Sequence, residues 1–225
     1  LRATCIALLI GIWPLAGAAQ LNTSIAIFDP GVPEDYSQHQ DLDVFPKIRA
    51  IESLFLPFVL REALTNTGDW GAVRGVPEPD ESAELSITGA IVHSDGESLA
   101  VSLRAVDARG HEWIGATYYS EGSYEDLFER FVTDLAGVRD TFNDKSLQGI
   151  VNLSLMRYSA ALVPDAFADY FEALPGGGYR LTRLPADGDP TMTRILRVRS
   201  VEFVMTDAID EKYRELHEEV DSVYE

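Results

Sequence analysis

The stretch from Ala83 to Glu121, AELSITGAIVHSDGESLAVSLRAVDARGHEWIGATYYSE, alternates apolar and polar residues through three consecutive segments. A period of two puts successive side chains on opposite faces, so each segment reads as a strand with one face turned to a core. Leu85, Ile87 and Ile91 share a face in the first segment, and Leu99, Val101, Leu103 and Ala105 share one in the second. In the third, Trp113, Thr117 and Tyr119 alternate with Ile114, Ala116 and Tyr118, which predicts cover on both faces. The links SDGES and DARGHE have the length and composition of hairpin turns, so the three strands form an antiparallel meander.

The flanking sequence supplies what such a sheet needs. Ser24 to Phe28 reads as a short buried strand closed by the turn residues Asp29, Pro30 and Gly31. From Pro46 a helix carries Ile48, Ile51, Leu54, Phe55, Phe58, Val59 and Leu60 on one side and stops near Gly68. Pro57 lies inside it and predicts a kink or a break. A short strand follows in WGAVRGVPEPD, and after the meander Ser123 caps a helix with Leu127, Phe128, Phe131, Leu135 and Val138 inward. Beyond Phe142 helical patterns dominate, interrupted by LPGGGYRLTRLPADGDP as a loop or small hairpin. A last long helix runs from Thr191 to near Val223, with Val198, Val201, Met205, Ala208, Leu216 and Val220 along one stripe. The fold class is α+β (mixed α/β): a small mixed sheet with an antiparallel meander covered by helices, then a helical carboxyl-terminal region.

Residues 1–18 order a positive charge (Arg2), an apolar run (Ile6 to Leu15) and small residues (Ala16 to Ala19), the pattern of a secretory signal peptide. The run is shorter than the roughly 20 apolar residues of a membrane-spanning helix. We therefore expect a periplasmic protein with no stable membrane insertion after cleavage, organised as 1–18 signal, 19–142 α/β docking-type domain and 143–225 helical region. Cys5, the only cysteine, precedes the apolar run, so acylation there is not expected, and a mature chain from Ala19 has no thiol chemistry. With 18 basic against 37 acidic residues the net charge is −19, which opposes binding to nucleic acid or an anionic membrane.

The stretch from Ser24 to about Phe142, with its SIAIFDPG strand, the LREALTNTGDWGAV helix end, AELSITGAI, DGESLAVSLRAVDARGHEW and a closing helix, resembles a recurrent module of bacterial envelope proteins. It is similar to the amino-terminal domain of the periplasmic Tol propeller protein, to the lipoproteins that activate penicillin-binding proteins, and to domains of flagellar and curli export accessories. The whole chain also resembles a family of exported gamma-proteobacterial proteins. These resemblances imply a non-catalytic docking module. The helical tail is a departure from the propeller protein, and the position of Cys5 is a departure from the lipoproteins.

Catalytic motifs are missing: there is no G-x-S-x-G elbow, no phosphate-binding glycine loop, and His39, His93, His111 and His217 share no metal-ligand spacing. No cofactor is expected. The loop from Asp29 to Asp43 offers Asp29, Glu34, Asp35, Asp41 and Asp43, either a solvated loop or a calcium site without EF-hand spacing. Paired carboxylates acting as an envelope glycan hydrolase form another alternative, although 37 acids single out no pair. Against the overall charge stands a basic cluster, Arg180, Arg183, Arg194, Arg197 and Arg199. It reads as a patch for an acidic envelope protein or an anionic glycan, or as the internal complement of the acidic tail DAIDEKYRELHEEVDSVYE. Trp70 and Trp113 are either core residues or anchors for a partner. The expectation is a non-enzymatic interaction protein that recognises its partner through a sheet edge or the arginine patch.

Overall fold

A computed structural model describes residues 20–35, 37, 39 and 44–224, with side chains described to residue 215. The signal-like stretch 1–18, Asp41 and Asp43 lie outside the described residues. The elements are β1 (Thr23–Ala26), α1 (Pro46–Thr67), β2 (Val73–Val76), β3 (Leu85–Ser94), β4 (Ser98–Asp107), β5 (Glu112–Glu121), α2 (Tyr124–Arg139), α3 (Asp144–Leu162), α4 (Pro164–Phe167), a 3-10 turn (Ala168–Tyr170), β6 (Phe171–Ala173), β7 (Tyr179–Leu181) and α5 (Pro190–Tyr224).

The five longer-range strands form one mixed sheet in the order β2-β1-β3-β4-β5. β1 runs parallel to both neighbours, as a β-α-β crossover requires, and β3, β4 and β5 form the antiparallel meander. The fold is α+β. Each hairpin is set by an aspartate. Asp95 accepts the N–H groups of Ser98 (2.8 Å) and Glu97 (2.9 Å). Those bonds, Ser98 first, and then the His93 side chain hold its carboxyl well below the usual carboxylate range. Asp107, fully buried, accepts the N–H of Arg109 (2.8 Å), the Arg109 guanidinium and the indole N–H of Trp113 (2.9 Å).

Leu60 and Leu64 of α1 and Phe128, Phe131 and Leu135 of α2 pack on Ile25, Leu85, Ile87, Leu103 and Ala105. Each of these leucine, isoleucine and phenylalanine side chains, fully removed from water, contributes about 1.5–3 kcal/mol. Helices cover only this face of the meander. Arg104, Thr117 and Tyr119 on the other face are exposed, so the expected double cover of β5 does not occur. Trp113 misled the pattern: a bulge between the Ile114–Ala105 and Glu112–Val106 pairs turns it inward, where it stacks on Phe142. Trp70 is also buried, 6.5 Å from Trp113, so both tryptophans belong to the core.

Pro57 does not divide α1, which is helical from Pro46 to Thr67. A proline in mid-helix leaves the carbonyl four residues earlier without its donor, a loss of about 3 kcal/mol with the associated clash. Here that carbonyl, on Ser53, receives the N–H of Phe28 at 3.1 Å. The chain leaving β1 thus fills the place that Pro57 vacates, and Phe28 is fully buried beside Phe128. A second, smaller core joins Met156 of α3, Phe167 of α4, and Met192 and Ile195 of α5, with the β6-β7 hairpin packed against it. Because Leu147 and Ile150 of α3 sit in the first core and Met156 in the second, α3 ties the two together.

Phe28 leaves no room at Gly89. A methyl group there would lie 2.6 Å from the Phe28 ring. Gly89→Ala is expected to lower stability by about 1–3 kcal/mol in urea unfolding, whereas Gly96→Ala, with open space around it, acts only through its own backbone.

A candidate docking surface at the sheet edge

β2 is an edge strand, and an edge exposes backbone groups that invite other chains. α5 crosses this edge. The Asp210 carboxylate accepts the Gly75 N–H at 3.2 Å, in the position a neighbouring strand's carbonyl would take, and pairs with Arg61 of α1 at 3.2 Å. The approach is close: a methyl at Gly75 would sit 3.0 Å from Asp210 Oδ1. Arg74 donates to both oxygens of Asp207 (2.7 and 3.2 Å) and lies 4.0 Å over the Phe203 ring. Burial pushes the Asp210 carboxyl above its ordinary value, the Arg61 charge opposing this only in part. Arg61 also donates to Glu62 at 2.8 Å, while its Nε is buried and has no acceptor among the described residues.

This clamp fixes the orientation of α5. Met192, Ile195, Arg199, Phe203 and Asp210 recur at helical spacing on the side facing the protein. Past Ile195 that side is largely polar. The apolar stripe of Val198, Val201, Met205 and Ala208 faces solvent instead, with Val204, Ile209 and Tyr213 also exposed. Met205 is 63% exposed and Ile51 of α1 is 68% exposed. Between the two helices and the ends of β1 and β2 lies a groove of about 250 Å³ lined by Ile27, Leu54, Phe58, Val76, Ile209 and Tyr213, with Arg61 and Asp210 beside it. Ile27, Leu54, Ile209 and Tyr213 are each exposed. A contiguous apolar surface of this kind marks an interaction site more often than an isolated exposed side chain does.

The five arginines of the sequence patch have separate fates. Arg180 pairs with Glu172 across the β6-β7 hairpin, and Arg183 lies 4.2 Å over Tyr170. Arg199 turns inward, donating to Ser154 Oγ at 3.0 Å beside Tyr158 and Phe203; burial pulls its pKa down. Arg194 and Arg197 are exposed, with no ion pair among the described residues. The described acids at the start of the tail, Asp207 and Asp210, bond to Arg74 and Arg61 instead of to this cluster. In the acidic loop Asp29 accepts the Gly31 N–H (2.8 Å), Asp35 bonds Ser37 (2.7 Å), and Glu34 is exposed. Among the described residues no group of three or more His, Cys, Asp or Glu is placed to hold a metal ion.

A polar hollow of about 400 Å³ lies on the open face of the sheet near the β6-β7 hairpin and has Glu81 and Asp107 in its lining. Glu81 pairs with Arg157 (3.2 Å), and Asp107 is saturated by the turn it organises. Glu84, also buried, accepts both the N–H (2.6 Å) and the side-chain amide (3.0 Å) of Asn22. These carboxylates are occupied by structure.

Arg61, Arg74, Asp207 and Asp210 were not singled out from sequence. The available signal was Asp210 itself, an acid in helical phase with Met192, Ile195 and Phe203. No protein-family model matches the chain, and no curated protein matches it. Among solved structures it is similar to two of the PelC dodecamer from Paraburkholderia phytofirmans. One, a point variant, is 15% identical over 52% of this chain and 90% of that chain, with a TM-score of 0.35; the other is 13% identical over 55% and 89%, with a TM-score of 0.31. A likeness at this level says nothing of function.

Asp210→Ala removes one of the two carboxylates that pair with Arg61 and uncovers the Gly75 N–H, and is expected to cost about 2 kcal/mol and to open α5 to proteolysis. Asp210→Asn keeps an acceptor for Gly75 and should cost less. Asp207→Ala, at an exposed pair, is expected to cost under about 1 kcal/mol; urea unfolding separates the three.

Proposed function

We propose that this chain is a non-catalytic docking protein of the bacterial cell envelope, exported by its amino-terminal stretch and acting in the periplasm. The observation that carries the reading is the groove between α1 and α5, where Ile27, Leu54 and Tyr213 stand exposed around a concave apolar surface. A monomer gains nothing by exposing these residues together, whereas a partner that covers them gains about 25 cal/mol for each Å² removed from water. The partner is an envelope protein that seats an apolar side chain in the groove. Anchors of this type, buried at the centre of an interface, carry most of its affinity.

Further support comes from the buried acids. Glu84 and Asp210 each hold a backbone N–H of a distant segment, and Asp107 holds those of its own turn, which supports a structural part for all three. The order β1-α1-β2-β3-β4-β5-α2 is the one on which the resemblance to envelope docking domains rests. The arginine patch takes a smaller part in this reading, because Arg199 is engaged inside the fold and Arg180 is paired on its hairpin.

A photo-crosslinking amino acid at Leu54, in intact cells, is expected to give a discrete adduct with one envelope protein, absent when the same group replaces Ser102 on the open sheet face. Arg194→Glu with Arg197→Glu should leave the Leu54 adduct in place. No adduct from Leu54, or equal labelling from Ser102, overturns the groove reading; loss of the adduct in the double variant moves the site to the arginines.

A further inference from the structure

The two parts of α5 are held in different ways. At its start Met192 and Ile195 are buried with Met156 and Phe167, and Asp189 accepts the N–H groups of Thr191 (2.7 Å) and Met192 (3.1 Å). Past Ile195 no apolar side chain of the helix is buried among the described residues. The only buried residue there is Asp210; Arg199, Phe203, Thr206 and Arg214 are half-buried. The hydrogen bonds and ion pairs that tie this part to the body join Arg199 to Ser154 (3.0 Å), Tyr158 to Glu202 (2.5 Å) and Arg74 to Asp207 (2.7 Å). Asp210 adds its bonds to Arg61 and to the Gly75 N–H, both 3.2 Å.

We infer that α5 past Ile195 is a polar latch, which detaches from the body as a unit while the turns around Met192 stay anchored. Hydrogen bonds and ion pairs given up to water are replaced by bonds to water, so breaking them costs little net free energy. Exposing buried apolar surface is what makes unfolding costly, and this part of the helix has none to expose. A segment so attached opens well before the chain unfolds. Its contacts sit on one continuous helix, spread over about three turns from Arg199 to Asp210. Each holds the next in place, and the loss of one loosens the rest.

The latch sets when two surfaces exist. Ile209 and Tyr213 leave with the helix, so the groove against Leu54 and Phe58 is whole only in the latched state. Asp210 leaves Gly75 at the same moment, and the β2 edge is then free to pair with an extended segment. A molecule that touches both walls of the groove favours the latched state, and a strand added to β2 favours the open one. The two therefore exclude each other. Only the consequence for the groove rests on the docking reading; detachment rests on the contacts of α5 itself.

Hydrogen exchange of the purified full chain, followed by NMR at increasing urea below the unfolding transition, tests the latch at one amide. The Gly75 N–H is held by Asp210 of α5 and so exchanges when the latch opens. The amide of Leu103, in a central strand and fully buried, exchanges when the chain unfolds. The expected result is exchange at Gly75 about tenfold or more faster than at Leu103, each corrected for its intrinsic rate, with a weaker dependence on urea. Tyr158→Phe and Asp207→Asn, which break other contacts of the latch, should each speed Gly75 about two- to tenfold. Neither residue bonds to Gly75, so a swing of the Asp210 carboxylate alone would not respond to both. Gly75 and Leu103 exchanging together at every urea concentration would mean that α5 stays docked until the chain unfolds, and overturns the inference. Fast exchange at Gly75 that neither variant changes overturns it as well. Both results leave the crosslinking test at Leu54 standing, and a missing Leu54 adduct leaves the exchange result standing.

Discussion

One carboxylate determines how the carboxyl-terminal half is presented. Asp210 accepts the Gly75 N–H from the edge of the sheet and pairs with Arg61 on the helix beneath it. A helix normally buries its apolar stripe and leaves charges in water. Once Asp210, Arg199 and Phe203 are committed to the inner side of α5, geometry sends Val201, Met205 and Ala208 outward. The same contact closes the β2 edge against further strands and supplies one wall of the groove. Edge protection, groove and exposed stripe therefore share a single cause.

The sheet beneath forms for reasons the sequence displays openly. The three alternating segments, their aspartate-set turns and the Ser123 cap all lie in local patterns, and all are present in the structure. Local rules describe such features because the interacting residues are close in sequence. The helix start at Pro46 and its end at Gly68 were equally legible, as was the long last helix, and the hairpin was one of the two forms, loop or small hairpin, that LPGGGYRLTRLPADGDP allowed.

What was not legible depended on partners far away in sequence. Pro57 predicts a broken helix on local grounds, and only the Phe28 N–H, delivered from another element, makes the helix continuous at Ser53. Trp113 falls in phase with Thr117 and Tyr119, yet a one-residue bulge moves it to the opposite side. The arginine cluster looked like one patch because five arginines are near in sequence. Packing divides them, since Arg199 has Ser154 and Tyr158 within reach and Arg194 does not. The stripe on α5 was visible, but its direction was not. Nothing in a helix's own periodicity says whether its neighbours meet the apolar side or the charged one.

The central claim is that, past Ile195, α5 turns Arg199, Phe203 and Asp210 to the protein and Val201 and Met205 to water. Thiol labelling tests it most directly. Single cysteines are placed at Val201, Met205, Ile195 and Phe203 in a Cys5→Ser background and reacted in dilute protein. The account predicts that Val201→Cys and Met205→Cys react at the rate of a free thiol, while Ile195→Cys and Phe203→Cys are protected until the chain unfolds. Protection at Val201 and Met205 with free reaction at Phe203 would mean that the helix is rotated, and would contradict the account.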